Sequence, residues 1–126
     1  MVVGVARVTF GLPGNRSLKG KRKVMKSLID RTRHKFNVSV AEVAAQDAHD
    51  RGVIGVAVAG GDSRVINSLL DHITGFMESL HLAEPLERRM EILHVEPEKP
   101  FQGSSAAAIE ESPFGDLPFF DEPDED

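Results

Sequence analysis

The chain contains no cysteine, no tryptophan and no tyrosine, and its apolar residues never run more than a few in succession. The missing cysteine excludes disulfides, thiolate zinc sites and a cysteine nucleophile. The missing apolar run leaves no segment expected to span a bilayer. A basic leader followed by a short apolar stretch is also lacking at the start of the sequence, so the expected location is the cytoplasm. Neither a P-loop nor a G-x-G-x-x-G is present, no metal site or cofactor is expected, and the chain is read as a non-enzyme.

What is present is enough for one domain: 126 residues, 40% of them hydrophobic, with a net charge of −5. That charge conceals two opposed parts. Residues 1–96 hold 14 basic and 11 acidic side chains, whereas residues 97–126 hold Lys99 against nine acids. Five of the seven prolines (Pro97, Pro100, Pro113, Pro118 and Pro123) fall in the acidic part. An acidic, proline-rich and non-periodic segment buries too little apolar surface to offset its ordering entropy, so residues 97–126 are expected to be a disordered tail.

Within residues 1–96 the positive charge is concentrated further. From Arg16 to Lys35 there are nine Lys/Arg and only Asp30 of opposite sign.

Periodicity places the elements. Residues 2–10 are β-branched and bounded by Gly11 and Pro13-Gly14, which predicts a strand. Leu18, Met25, Leu28, Ile29, Thr32 and Phe36 gather within about 100° of a helical wheel, with Ser17 as N-cap and Gly20 where a capping box would place Glu or Gln. Residues 37–45 return to a period near two, and residues 52–59 read as a buried strand; the polar residues between form a hairpin loop.

Asp62 caps a second helix whose apolar arc comprises Val65, Ile66, Leu69, Leu70, Ile73, Phe76, Met77 and Leu80, with Gly75 on the opposite face. Residues 86–95 form a last strand limited by Pro85 and Pro97. The order β-α-β-β-α-β, with two one-sided helices, predicts an α+β, ferredoxin-like split βαβ fold. It has a four-stranded antiparallel sheet, both helices on one face, and the first and third strands central.

Several blocks then resemble a known family. Arg16-Ser17-Leu18-Lys19-Gly20-Lys21-Arg22, Phe36-Asn37-Val38-Ser39-Val40-Ala41-Glu42, Gln46-Asp47 and Gly55-Val56-Ala57-Val58 are similar, in order and spacing, to the YlxP-like family, a bacterial family of unknown function. The likeness covers residues 1–96. Gly20 departs from the acidic residue usual in the first block, and Ala45 from the polar residue or His often found before Gln46. The resemblance implies a ferredoxin-like domain without an established activity, whose members are often encoded near translation-initiation and ribosome-maturation factors. It brings no catalytic residues, and fold analogy does not fix a function.

The candidate chemistry starts with the first helix. Lys19, Arg22, Lys23, Lys26 and Arg33 span about 100° beside the apolar arc, a stripe suited to RNA phosphates, against the alternative of a solvated face. The expected partner is structured RNA, with the ribosome as docking site. Base stacking on the sheet, as in RNA-recognition motifs, is not expected because the strands lack suitable aromatics. The loop Gly14, Arg16, Ser17 is a second candidate, for an anion at a helix N-terminus; acylphosphatases hold phosphate at this position of a similar topology, but their catalytic pattern is not visible here.

Glu42, Asp47, His49 and Asp50 lie close across the hairpin but lack a regular metal-ligand spacing. Glu42, among β-branched residues, is expected to pair with Arg or Lys, an interface being one place for that pair. The sheet face without helices suggests a homodimer or protein-interaction module, through that face or an edge strand, with the acidic tail as a docking motif for a protein partner. Within the tail, Asp116-Leu117-Pro118-Phe119 is similar to the acidic tip of bacterial single-stranded-DNA-binding proteins, although that tip ends at its Phe and this one continues. The other readings of the tail are a solubilising segment and a segment that folds back on the basic helix.

Overall fold

Five β-branched residues, Val2, Val3, Val5, Val8 and Thr9, favour the extended first strand. In the computed structural model, which describes residues 1–95, β1 (Val2–Gly11) buries Val2, Gly4, Ala6, Val8 and Phe10, while Val3, Val5, Arg7 and Thr9 turn to the other side. The elements that follow are α1 (Leu18–Lys35), β2 (Ser39–Ala44), β3 (Arg51–Gly60), α2 (Ser63–Ser79) and β4 (Glu84–His94). The expectations for the tail lie outside the described residues.

The sheet is antiparallel with the order β2-β3-β1-β4, so the two valine-rich strands are central. Two glycines show that both helices cover one face. A Cβ on Gly4 would strike Ile66 and Leu70 of α2, and a Cβ on Gly52 would strike Met25 of α1. Gly52 is the register partner of Phe10, six residues and three pleats from Gly4 on β1, and both positions therefore face the same way. The α+β, ferredoxin-like arrangement is the one the element order predicts.

The core is a single cluster between this face and the helices, centred on Val8, Phe10, Leu28, Ile54, Leu70, Ile73 and Met77. Each helix starts as its cap residue dictates: the Ser17 side chain accepts from Gly20 N, and the Asp62 side chain accepts from Arg64 N. The α2 arc is buried at Ile66, Leu70, Ile73 and Met77, but Val65 is 61% exposed, so the apolar stripe is narrower than the sequence suggests. His81, with φ of 54°, ends α2 in the left-handed region, where its N–H returns to Glu78 O.

Strand bounds shift by one or two residues. β2 starts at Ser39 rather than 37, because Val38 N bonds locally to Phe36 O. β4 starts earlier, at Glu84, and tolerates Pro85 as an edge strand does. Two bulges interrupt the ladders. Leu86 is the extra residue opposite Thr9/Phe10, and Val43 is extra between Glu42 and Ala44.

Candidate nucleic-acid interface

α1 divides its cations between inside and outside. Lys19, Arg22, Lys23, Lys26 and Arg33 are all exposed on one flank, as the wheel requires. Lys19, Arg22 and Lys23 make no ion pair or side-chain hydrogen bond among the described residues. Lys26 Nζ lies 2.8 Å from Asp30 Oδ2, one turn on. That hydrogen bond, helped by the charges of Lys26 and Arg33, holds the Asp30 carboxyl below the usual carboxylate range. Arg33 Nη2 donates to Val40 O at 2.9 Å, which ties the end of α1 to edge strand β2. Among the described residues the ridge thus has three unpaired cations at its start and two tethered ones further along.

Lys21 belongs to the same basic run but points the other way. It sits three residues after Leu18 and four before Met25, within the apolar arc, and is 1% exposed. Its stem packs in the core while Nζ meets oxygens around the β2–β3 loop: Ala45 O at 2.7 Å, Gln46 O at 3.2 Å, Arg51 O at 3.3 Å and Glu42 Oε2 at 3.0 Å. An ammonium has three protons, and the three carbonyls take them. Glu42 Oε2 is therefore in ion-pair reach yet receives no hydrogen bond. Ala45 presents its carbonyl from a left-handed backbone, φ 59°.

Glu42 has the basic partner expected for it, but that partner is in the same chain. In the sequence Lys21 figures only as one of the nine cations of the basic run; its i+3/i−4 spacing to Leu18 and Met25 was the signal for burial.

On the far flank of α1, Lys35 Nζ stands 5.1 Å above the Phe76 ring of α2 and 6.0 Å from Phe36, and the two rings meet edge-on at 5.6 Å. With Arg31 and His34 it rims a shallow cleft over Phe76 and Leu80. Sequence reasoning did not single out this cleft, since it forms only when the two helices pack.

The loop before α1 carries the second candidate. Gly14 has φ of 84°, which suits the turn closed by Asn15 N and Leu12 O. The Ser17 hydroxyl accepts from Gly20 N, and Arg16 is exposed. Asn15 Nδ2 donates to Ser17 O and His49 O, and His49 Nδ1 faces Asn15 O at 3.1 Å, so this loop is sewn to the β2–β3 loop. Glu42 and His49 are thereby engaged in different places. Among the described residues no group of three or more carboxylates and imidazoles converges, and no helix is long and apolar enough to cross a membrane.

Comparison with known proteins agrees with the blocks that carry the resemblance. Residues 3–90 match the model of a family described as "Protein of unknown function (DUF503)". The chain is 35% identical over 63 residues to "Uncharacterized protein YlxP" of Bacillus subtilis (strain 168), a stretch that covers 50% of this chain and 68% of that protein. Because the family match takes in both helices and nearly the whole sheet, the chain belongs to the YlxP-like family of proteins of unknown function, DUF503.

Proposed function

We propose that the protein is a cytoplasmic, non-enzymatic accessory factor that docks on structured RNA, the ribosome among its candidates, through α1. The observation that carries this reading is the one-signed flank of Lys19, Arg22, Lys23, Lys26 and Arg33, exposed together with Asp30 as its single acid. From Lys19 to Arg33 the helix rises roughly 21 Å, enough to meet several phosphates in succession. Contacts of this kind follow backbone and shape rather than base identity, so specificity comes from the geometry of the docking site.

Ribosome co-sedimentation over a salt series tests it. Three to five neutralised phosphates give a slope of log K against log[salt] of about −2 to −4. The triple variant K19E/R22E/K23E, which replaces side chains that make no bond among the described residues, is expected to weaken binding about 100-fold at moderate salt. Unchanged pelleting of that variant would discard the reading.

A further inference from the structure

The sheet face without helices has a pattern that points to a second copy of this chain. It presents Val3 and Val5 from β1, Ala57 and Ala59 from β3, Val43 from β2 and Leu93 from β4, all half-buried or exposed. Val43 lies flat over Gly55, where a Cβ would be 2.8 Å from its Cγ1. The surface is therefore low, apolar and fit for close approach.

Its charges are ordered as well. On β4 the residues facing this side run Glu87, Arg89, Glu91, and Arg89 stands directly opposite Arg7 of β1. Two arginines face to face on adjacent strands repel each other, and none of these four side chains forms an ion pair among the described residues. A row of alternating sign is complementary to itself reversed. A two-fold axis across the strands, between the levels of Arg89 and Glu91, sets Arg89 of each copy against Glu91 of the second copy. The same axis brings Val5 and Ala57 to the centre.

The face offers roughly 600 Å² in projection from four strands about 4.8 Å apart. Side chains standing on it raise the buried area toward the about 800 Å² per partner of a standard interface. The sheet edges are less suited to pairing. β4 carries Glu84, Glu87, Arg88, Arg89 and Glu91 along an exposed strand, and on β2 the Val40 carbonyl is occupied by Arg33.

We infer that the protein is a homodimer with the two sheets packed face to face through Val5, Ala57 and reciprocal Arg89–Glu91 pairs. Both helical layers, and with them both α1 ridges, stay on the outside of that dimer. The inference is independent of the RNA reading.

Sedimentation equilibrium of the full chain tests it. The expected mass is twice the 13.8 kDa of one chain. A57R, at the centre of the face, and R89E, which makes the row three acids, each reduce self-association at least tenfold while keeping the native circular dichroism. E87R/E91R makes the row three bases and is likewise monomeric. An equal mixture of R89E and E87R/E91R recovers the dimer mass. A wild-type mass of one chain at all concentrations overturns the inference, and so does dimer formation undiminished in folded A57R and R89E.

Discussion

Lys21 Nζ lies 3.0 Å from Glu42 Oε2 while donating its protons to the carbonyls of Ala45, Gln46 and Arg51. One side chain of α1 thus anchors the loop that joins β2 to β3. Removing it takes a donor from three carbonyls, of which Ala45 O keeps the Ala48 N–H, and leaves the half-buried Glu42 carboxylate without its cation. Lys21→Met is expected to lower the unfolding free energy by about 3–5 kcal/mol, as when one partner of a buried pair is lost. Glu42→Gln leaves the three carbonyl contacts in place but takes the counter-charge from a buried ammonium, and is expected to cost less, about 1–3 kcal/mol. Urea unfolding with an unchanged m-value checks both. A Lys21→Met loss no larger than that of Glu42→Gln would mean that the carbonyl cage contributes little.

Among the described residues, two with side chains occupy the left-handed region, Ala45 at φ 59° and His81 at φ 54°. For a residue with a Cβ that conformation costs roughly 1–2 kcal/mol. His81 is exposed just past the end of α2, the position where glycine is the usual terminator. His81→Gly is expected to raise stability by about 0.5–1 kcal/mol, the relief being partly offset by the greater freedom of the unfolded glycine chain. Ala45→Gly should act in the same direction, since its carbonyl still reaches Lys21. Thermal denaturation of the two single variants measures this; a lower melting temperature in both would contradict it.

How much of this was legible in the sequence depends on whether the determining pattern is local. The β-branched runs at Val2–Gly11 and Arg51–Gly60, the Ser17 and Asp62 caps and the α2 stripe all follow from neighbours in the chain, and so the sheet order followed too. What was hidden depends on partners distant in sequence. Lys21 is buried because oxygens 21 to 30 residues away receive its charge. Val65 is exposed although its hydropathy places it on the arc. The Val43 bulge exists because Gly55 on the next strand leaves room for it. On α1 the side of the ridge was legible, but the tether from Arg33 to Val40 O was not.

Two buried threonines separate a hydrogen bond within a helix from one that joins elements. Among the described residues Thr32 Oγ1 donates only to Leu28 O, one turn back in its own helix. Thr74 Oγ1 donates to Leu70 O at 3.0 Å and also accepts from Arg88 Nη1 of β4 at 2.7 Å. Valine has nearly the same shape as threonine. Thr32→Val should therefore change stability by less than about 0.5 kcal/mol, because Leu28 O keeps its backbone partner. Thr74→Val removes the acceptor of a charged donor and is expected to cost about 1.5–3 kcal/mol. Equal effects in parallel chemical denaturations would show that the α2–β4 contact adds nothing.

Asp30 is the acid on the cationic flank, and its link to Lys26 gives that flank a pH and salt signature. Its carboxyl is held below the ordinary value of 3.8, chiefly by the Lys26 hydrogen bond. A lowered folded-state value means that the pair contributes to stability above that ordinary value, and that the contribution disappears as pH falls through the folded-state value beneath it. Carboxyl-detected NMR titration should place the Asp30 midpoint under 3.8 in the wild type and return it toward 3.8 in Lys26→Ala. Both groups are solvent-exposed, so Asp30→Asn should leave stability at neutral pH nearly unchanged. The same variant frees Lys26 for a phosphate. In the RNA assay it should bind more tightly than the wild type, with a salt slope steeper by about 0.7–0.9. A slope identical to that of the wild type would remove Lys26 from the contact set and confine the interface to Lys19, Arg22, Lys23 and Arg33.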